Sequence, residues 1–434
     1  MKYVNLQRGN IETSPFLKTL CSLNFFIAII GYPIAMALLS PWGMGVDLDS
    51  GGNRLFTWTY RGISVLVSLF ALTKVYNRRI PRFDWRMTLL SVFWCLYLSR
   101  AFWDLQISPP IGPLAWNWAP GIEFQAWCYI FLFTLLPMIV TMKSVDLIDF
   151  RRVQNWIFYL GACGVACSLY ANYSHAASSW AIVEGRTEAS AMLNTISYGH
   201  FALCVAIVAV SRFLEKRTVF CGAICISVAS LGAYTMLQAG SRGPLLALFA
   251  VVLFYAFSRS RYAVLGVLLG GVFASCVWLL MDKIVGVISS VAPVIAARLE
   301  ATVVSGHTSG RDVLFSEIWQ GCLENPLTGF QLDFLGYSHN ACLDGFMMFG
   351  FIFGWIILIL VLLGYKAAYD ILKSKGAEAW VALVAIQYIT ACQTSWLFGA
   401  NSTVQCMLVV LFIMTTKRGV GRSVNSINKV KYES

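Results

Sequence analysis

Apolar runs of about 20 residues recur along the whole length of this chain. Wound as a helix, such a run spans the ~30 Å hydrocarbon core of a bilayer. A segment in that setting must satisfy its own backbone hydrogen bonds, so only helices and closed barrels span. The strict apolar–polar alternation of barrel strands is missing, and the pattern predicts a helical bundle. Composition agrees: 58% of the 434 residues are hydrophobic and 12% are charged, against roughly 25% charged in soluble domains. Length alone suggests two or three soluble domains, and hydropathy overrides that reading.

We therefore expect an all-α polytopic membrane protein with about twelve transmembrane helices. They fall near 20–40, 57–76, 87–105, 126–142, 156–173, 199–214, 218–237, 244–258, 262–281, 343–364, 377–395 and 403–416. This divides the chain into helices 1–9 (residues 1–281), a large polar loop (282–342), helices 10–12 (343–416) and a polar tail (417–434). Within the loop, Val287–Ala301 is apolar and suits a helix on the membrane surface, and Asp312–Cys322 has helical spacing. The first apolar run lacks a small-residue cleavage site, so it reads as a retained helix.

The net charge of +11 is concentrated in short clusters between apolar runs, such as Arg78/Arg79/Arg82/Arg86 and Lys366/Lys373/Lys375. Clusters of this kind orient membrane proteins and are no sign of a nucleic-acid partner. The positive-inside rule places them, and both termini, in the cytoplasm. The opposite face carries few basic residues: Arg54, Arg186, Arg242, Lys283, Arg298 and Arg311, with Arg100 in the outer half of the third helix. A charge at membrane depth is costly and has a partner or a function. Nearly all of these are Arg, whose planar fork suits phosphate.

Gln238-Ala239-Gly240-Ser241-Arg242-Gly243-Pro244 reads as a short external turn, with Pro244 suited to a helix start. It sets Arg242 at a helix N-terminus, where backbone donors also favour an anion. The alternative is an interfacial Arg that snorkels to lipid headgroups. Arg311 follows Thr308-Ser309-Gly310 at the start of a predicted helix, and its plain alternative is a surface loop Arg. Arg186 has Glu188 as a local ion-pair partner, a contact of little energy. His339, in Ser338-His339-Asn340, sits at the mouth of a hydrophobic helix, with Asp344 one turn on. Its imidazole suits general-base work, although a lone His at a helix mouth is more often structural.

Most of the thirteen cysteines fall in apolar runs and read as small buried hydrophobes. Cys322 and Cys342 share the polar segment, and a disulfide between them needs an oxidising compartment. Asp47 and Asp49 sit beside a Gly-Gly turn and read as a soluble loop. No P-loop is present, and neither a nucleotide nor a metal is expected.

Taken in order, Gly185-Arg186 with Leu193-Asn194, Gly240-Ser241-Arg242-Gly243, Ser309-Gly310-Arg311, Asn325-Pro326-Leu327-Thr328-Gly329 and Ser338-His339-Asn340 resemble the bacterial O-antigen ligase and O-antigen polymerase superfamily. The resemblance covers roughly residues 180–360. It implies a GT-C-like, metal-independent, inverting glycosyltransferase of the inner membrane with its active site at the periplasmic face. The implied donor is a glycan on undecaprenyl pyrophosphate, held by Arg242 and Arg311 with Arg186 as a further contact. His339 would be catalytic, with Ser241 and Asn340 in auxiliary positions. A ligase passes the glycan to a lipid A–core sugar hydroxyl, and the reading leans that way. The alternative within the superfamily is a repeat-unit polymerase, whose acceptor is another lipid-linked repeat. Membrane lipid and a chain-length regulator are the further partners implied. A reading of another class is a polytopic transporter or flippase, which predicts polar residues near the bilayer midplane on discontinuous helices.

Overall fold

The computed structural model describes residues 14–42, 51–78, 84–109, 121–174, 195–215, 218–259, 311–374 and 376–416, together with four single positions between 286 and 300. The expected ninth span (262–281), most of Val287–Ala301 and the tail lie outside them. Among the described residues there is no strand. Among the described residues seven helices are long and apolar enough to cross a membrane. These are α1 (Pro15–Trp42), α4 (Ile122–Ser144), α6 (Thr195–Glu215), α7 (Val219–Gln238), α8 (Arg242–Arg259), α11 (Trp355–Lys373) and the Leu55–Val75 part of α2 (Gly51–Val75). Among them run α3 (Trp85–Phe102), α5 (Phe150–Ser174), α9 (Arg311–Glu324) and the shorter α10 (Ala341–Phe353), α12 (Ala379–Cys392) and α13 (Ser402–Thr416).

The core is built on α6, α12 and α13. Every residue from Trp380 to Cys392 is buried, and α6 is buried on nearly all sides. By contrast α2, α7 and α8 are as apolar but leave most of their surface uncovered, with Leu55, Leu66, Phe220 and Val252 exposed. A helix that is hydrophobic all round belongs in a core or in lipid. The first group fills the core, and the second has the surface of lipid-facing helices.

Local chemistry places the ends. Asp84 caps α3 by accepting from the Arg86 and Met87 amides. Arg86 then ties this end to the last turn of α13, donating to the Thr415 and Thr416 hydroxyls at 2.7 Å. Gly240, at φ 64°, closes α7, and Pro244 lies in the first turn of α8. The short turn expected between these helices is present. The single helix expected over 343–364 is instead two, α10 and α11, because Gly350 has a non-helical backbone (φ 67°, ψ −175°). A side chain at Gly350 would collide with the Pro326 and Leu327 backbone at 2.6–2.7 Å, so this break lets the 325–331 segment lie against α10.

Two of the long helices are opened by proline. Pro33 in α1 and Pro137 in α4 each follow a π-helical stretch, Ile27–Gly31 and Cys128–Leu135. Pro33 has no N–H to give Ile29 four residues back. The Thr403 hydroxyl supplies that bond at 3.0 Å, and the Ser402 hydroxyl donates to the Ala28 carbonyl at 2.9 Å.

Helix α7 meets α6 at Gly232, where a Cβ would lie 2.8 Å from the Ala202 carbonyl and 3.1 Å from Ala206 Cβ. Small residues allow this close approach in membrane bundles. Gly232→Leu is expected to force the helices apart and cost about 1–3 kcal/mol. Thermal unfolding of the purified protein in detergent tests this, and an unchanged midpoint would show that the crossing does not hold α7.

Candidate functional site

Several of the residues singled out in the sequence, among them His339, Asn340, Ser241 and Arg242, lie around two irregular segments, 331–340 and 393–401, inside an otherwise helical bundle. Irregular backbone at such depth survives only where its polar groups find partners. Here buried carboxylates supply them. Asp104 Oδ2 accepts from the Leu332 amide at 2.6 Å, and Asp333 accepts from the Tyr97 hydroxyl at 2.8 Å and the Gly399 amide at 3.3 Å. Asp344 accepts from the Ser338 amide at 2.6 Å. Arg100 finds its partner in Asp104, at 2.7 Å, and also donates to the Thr328 carbonyl at 3.3 Å. The cation in the third helix is therefore a structural anchor for the loop.

The Asn325–Gly329 motif is a strap. Phe330 N donates to Met347 O at 2.8 Å, and Phe351 N donates to Pro326 O at 2.7 Å. Gly329 (φ 70°) lies so close to the Met347 and Met348 backbone that a Cβ would sit 2.4–2.8 Å from it. This strap hands the chain to Ser338-His339-Asn340.

Asn340 caps α10: its side-chain oxygen accepts from the Cys342 and Leu343 amides at 3.0 and 3.1 Å. Ser338 and Asn340 exchange two further bonds, of 2.9 and 3.0 Å. His339 lies between them at φ 63°, the only non-glycine with positive φ among the described residues. That conformation costs about 1 kcal/mol or more. It brings the half-buried imidazole to the 393–396 turn, with Nδ1 3.4 Å from the Ser395 carbonyl and the Tyr337 ring 4.5 Å away edge-on. A carbonyl only accepts, so this contact uses a proton on Nδ1 and puts the lone pair on Nε2.

Arg242 comes to the same turn from the other direction. It is the first residue of α8 and half-buried, and the buried Ser241 precedes it. The next residue, Gly243, has room for no Cβ: one would lie 2.9 Å from Ser395 Oγ and 3.2 Å from Thr394 Oγ1. The first turn of α8 and the His339 loop thus share the Thr394–Ser395 turn. Arg311 opens α9, and α9 is held on α10 through Ile318, Cys322 and Met347. The Arg311 side chain and all of Arg186 lie outside the described residues. Cys322 and Cys342 are free thiols; the first is buried against α10, and the second donates to Gln393 Oε1 at 3.3 Å.

Two further residues belong to this neighbourhood and are not among the sequence candidates. His200 of α6 is fully buried, and neither ring nitrogen has a hydrogen-bond partner among the described residues. Its ring lies 5.0 Å from Trp396, and Nε2 would be 3.5 Å from a Cβ on Gly243. Arg61 of α2 lines a cleft of ≈ 440 Å³ that also touches Tyr337, Ser395 and Trp396. Both are ionisable groups inside apolar runs, which is the signal that marks them.

No protein-family model matches this chain, and no curated protein matches it. The chemistry of the site therefore rests on its own residues.

Burial pushes the Asp333 carboxyl up to about 6, against the hydrogen bonds from Tyr97 and the Gly399 and Phe334 amides. The folded chain keeps this proton where an unfolded carboxyl, near 4, has lost it. The group therefore favours the folded state most below about pH 4, and that advantage is lost as pH rises to about 6. Relative to an Asp333→Asn variant, the wild type is expected to gain thermal stability as pH falls from about 6 to 4. A difference between the two midpoints that stays constant across that range would contradict this.

Proposed function

We propose that the chain is an O-antigen ligase-type glycosyltransferase. It moves a glycan from undecaprenyl pyrophosphate to a sugar hydroxyl, on lipid A–core in the leading reading, at the periplasmic face of the inner membrane. The observation that carries this is the shared Thr394–Ser395 turn. The arginine-led start of α8, through Gly243, and the His339 imidazole both abut it.

The division of labour follows from the chemistry. Arg242 and the first amides of α8 hold pyrophosphate, and Arg311 and Arg186 are assigned as its further contacts. The acceptor oxygen attacks the anomeric carbon and its proton passes to His339 Nε2. The C1–O bond breaks, and the pyrophosphate leaves with the electron pair. Attack opposite the leaving group inverts the anomeric centre. Cations held in a water-poor site stabilise the charge that grows on the leaving oxygen, and the imidazole contributes as general base. Ser241 and Asn340 act on geometry, the first packed in the turn before Arg242 and the second capping α10 beneath His339.

A repeat-unit polymerase uses the same chemistry on a lipid-linked acceptor. One observation favours that second reading: the cleft at Arg61 also reaches Tyr337 and Ser395, the residues against the His339 ring, so it offers room for a second lipid-linked substrate.

His339→Ala, Arg242→Ala and Arg311→Ala are each expected to lower transfer about 100-fold or more while the protein still inserts. The readout is the lipopolysaccharide ladder in strains lacking their own ligase or polymerase. Full activity of all three variants would rule the proposal out. Rescue confined to the ligase-deficient or the polymerase-deficient strain identifies the acceptor.

A further inference from the structure

The loop helix α9 divides its surface three ways, because residues four apart share one side of a helix. Leu314, Ile318 and Cys322 turn toward α10, where the last two are buried with Met347. Phe315, Trp319 and Leu323 form a second row, in which Trp319 is 46% and Leu323 52% exposed. Glu317, Gln320 and Glu324 occupy a third side, all exposed, and line an open hollow with Asn325. One side of α9 thus meets protein, one is apolar and uncovered, and one is polar.

The depth of α9 follows from α11. That helix has 19 residues and extends about 28 Å, nearly the ~30 Å of hydrocarbon, so its first residue, Trp355, stands at one edge of a bilayer. Trp355, Ile359 and Leu362 are exposed along it, as on a lipid-facing span. A ladder of rings leads from that edge to α9. Trp355 meets Phe346 at 5.0 Å, Phe346 meets Phe351 at 5.6 Å, and Phe351 meets Trp319 at 5.4 Å. Ile352 and Phe353, next to Phe351 in the chain, are exposed as well. The uncovered row of α9 therefore continues the lipid-facing surface of α11 at the level of the bilayer edge. Tryptophan is enriched at that edge. An amphipathic helix lies along it with its apolar side in the acyl boundary and its charges in water.

We propose that α9 is an interfacial helix docked on phospholipid, with the Phe315–Trp319–Leu323 row, Ile352 and Phe353 in the acyl boundary of the leaflet at the Trp355 end of α11. Glu317, Gln320 and Glu324 then face water. The large polar loop is held down on the membrane here, and Arg311, the first residue of α9, is kept near the lipid phosphates. This placement goes beyond the transfer reading and does not depend on it.

Photocrosslinking of the full chain in dioleoylphosphatidylcholine vesicles tests the placement, with p-benzoylphenylalanine put in turn at Trp319, Leu323, Gln320 and Glu324. Mass spectrometry is expected to show the added mass of one lipid at the Trp319 and Leu323 positions and none at the other two. A second measurement covers the case where the bulky photoreactive group disturbs the helix. Leu323→Glu changes an exposed side chain, so the packing of α9 on α10 stays. It is expected to speed amide hydrogen exchange across Arg311–Glu324 about tenfold in the same vesicles, while Gln320→Glu leaves it unchanged. Capture of a second copy of the chain at Trp319 and Leu323 overturns the inference in favour of an interface between copies. Absence of lipid at both apolar positions, or equal capture at all four, also overturns it, as do equal exchange rates in the two Glu variants. None of these readouts uses glycosyl transfer, so the outcome leaves that reading to its own test.

Discussion

Backbone amides that leave a helix in an apolar interior must be satisfied, and the site depends on the carboxylates that do this. Asp104, Asp333 and Asp344 are all buried, and each accepts from an amide in the irregular segments: Leu332, Gly399 and Ser338. An amide left bare there would cost about 1–3 kcal/mol. The same bonds leave little freedom for the loop, so His339 is held in a left-handed conformation that few side chains adopt unaided. The asparagine next to it is committed to capping α10. In this arrangement the imidazole is the member of the Ser-His-Asn trio whose polar atoms are turned toward another segment.

The two shortest core helices set where this happens. α12 has 14 residues and extends about 21 Å, short of the ~30 Å needed to cross hydrocarbon. The chain therefore turns at residues 393–401 while still inside the bundle. Gln405 and Asn401 bind the Phe398 and Leu397 carbonyls, at 2.8 and 3.2 Å, and keep the turn from exposing bare backbone. A recessed polar turn surrounded by apolar helices lowers the local dielectric, which strengthens any charge interaction made there.

Much of the scaffold was readable from the residues. Apolar run length located the helices, Gly240 and Pro244 marked the tight turn before α8, and the helical spacing after Asp312 appears as α9. The break at Gly350 was not readable, because an isolated glycine inside an apolar run is ordinary in membrane helices. Its meaning comes from Pro326 and Leu327, some twenty residues earlier, which occupy the space a side chain would need. The approach of the α8 start and the His339 loop to one turn was equally hidden. It runs through Thr394 and Ser395, two small hydroxyl residues with no signature of their own, brought into place by the packing of α12.

Arg61 and Arg100 show why the sequence signal alone could not rank the arginines. Both interrupt apolar runs, where a charge is costly. Arg100 has Asp104 one helical turn away, and that pair is spent on the Leu332 amide and the Thr328 carbonyl. Arg61 has no acid at that spacing and rests on aromatic faces instead. A cation over a ring is stabilised by about 0.5–2 kcal/mol, less than a charge-assisted bond to an anion would add to it. A carboxylate one turn along therefore makes Arg100 part of the fold's polar framework, whereas Arg61 is held by ring faces and one hydroxyl.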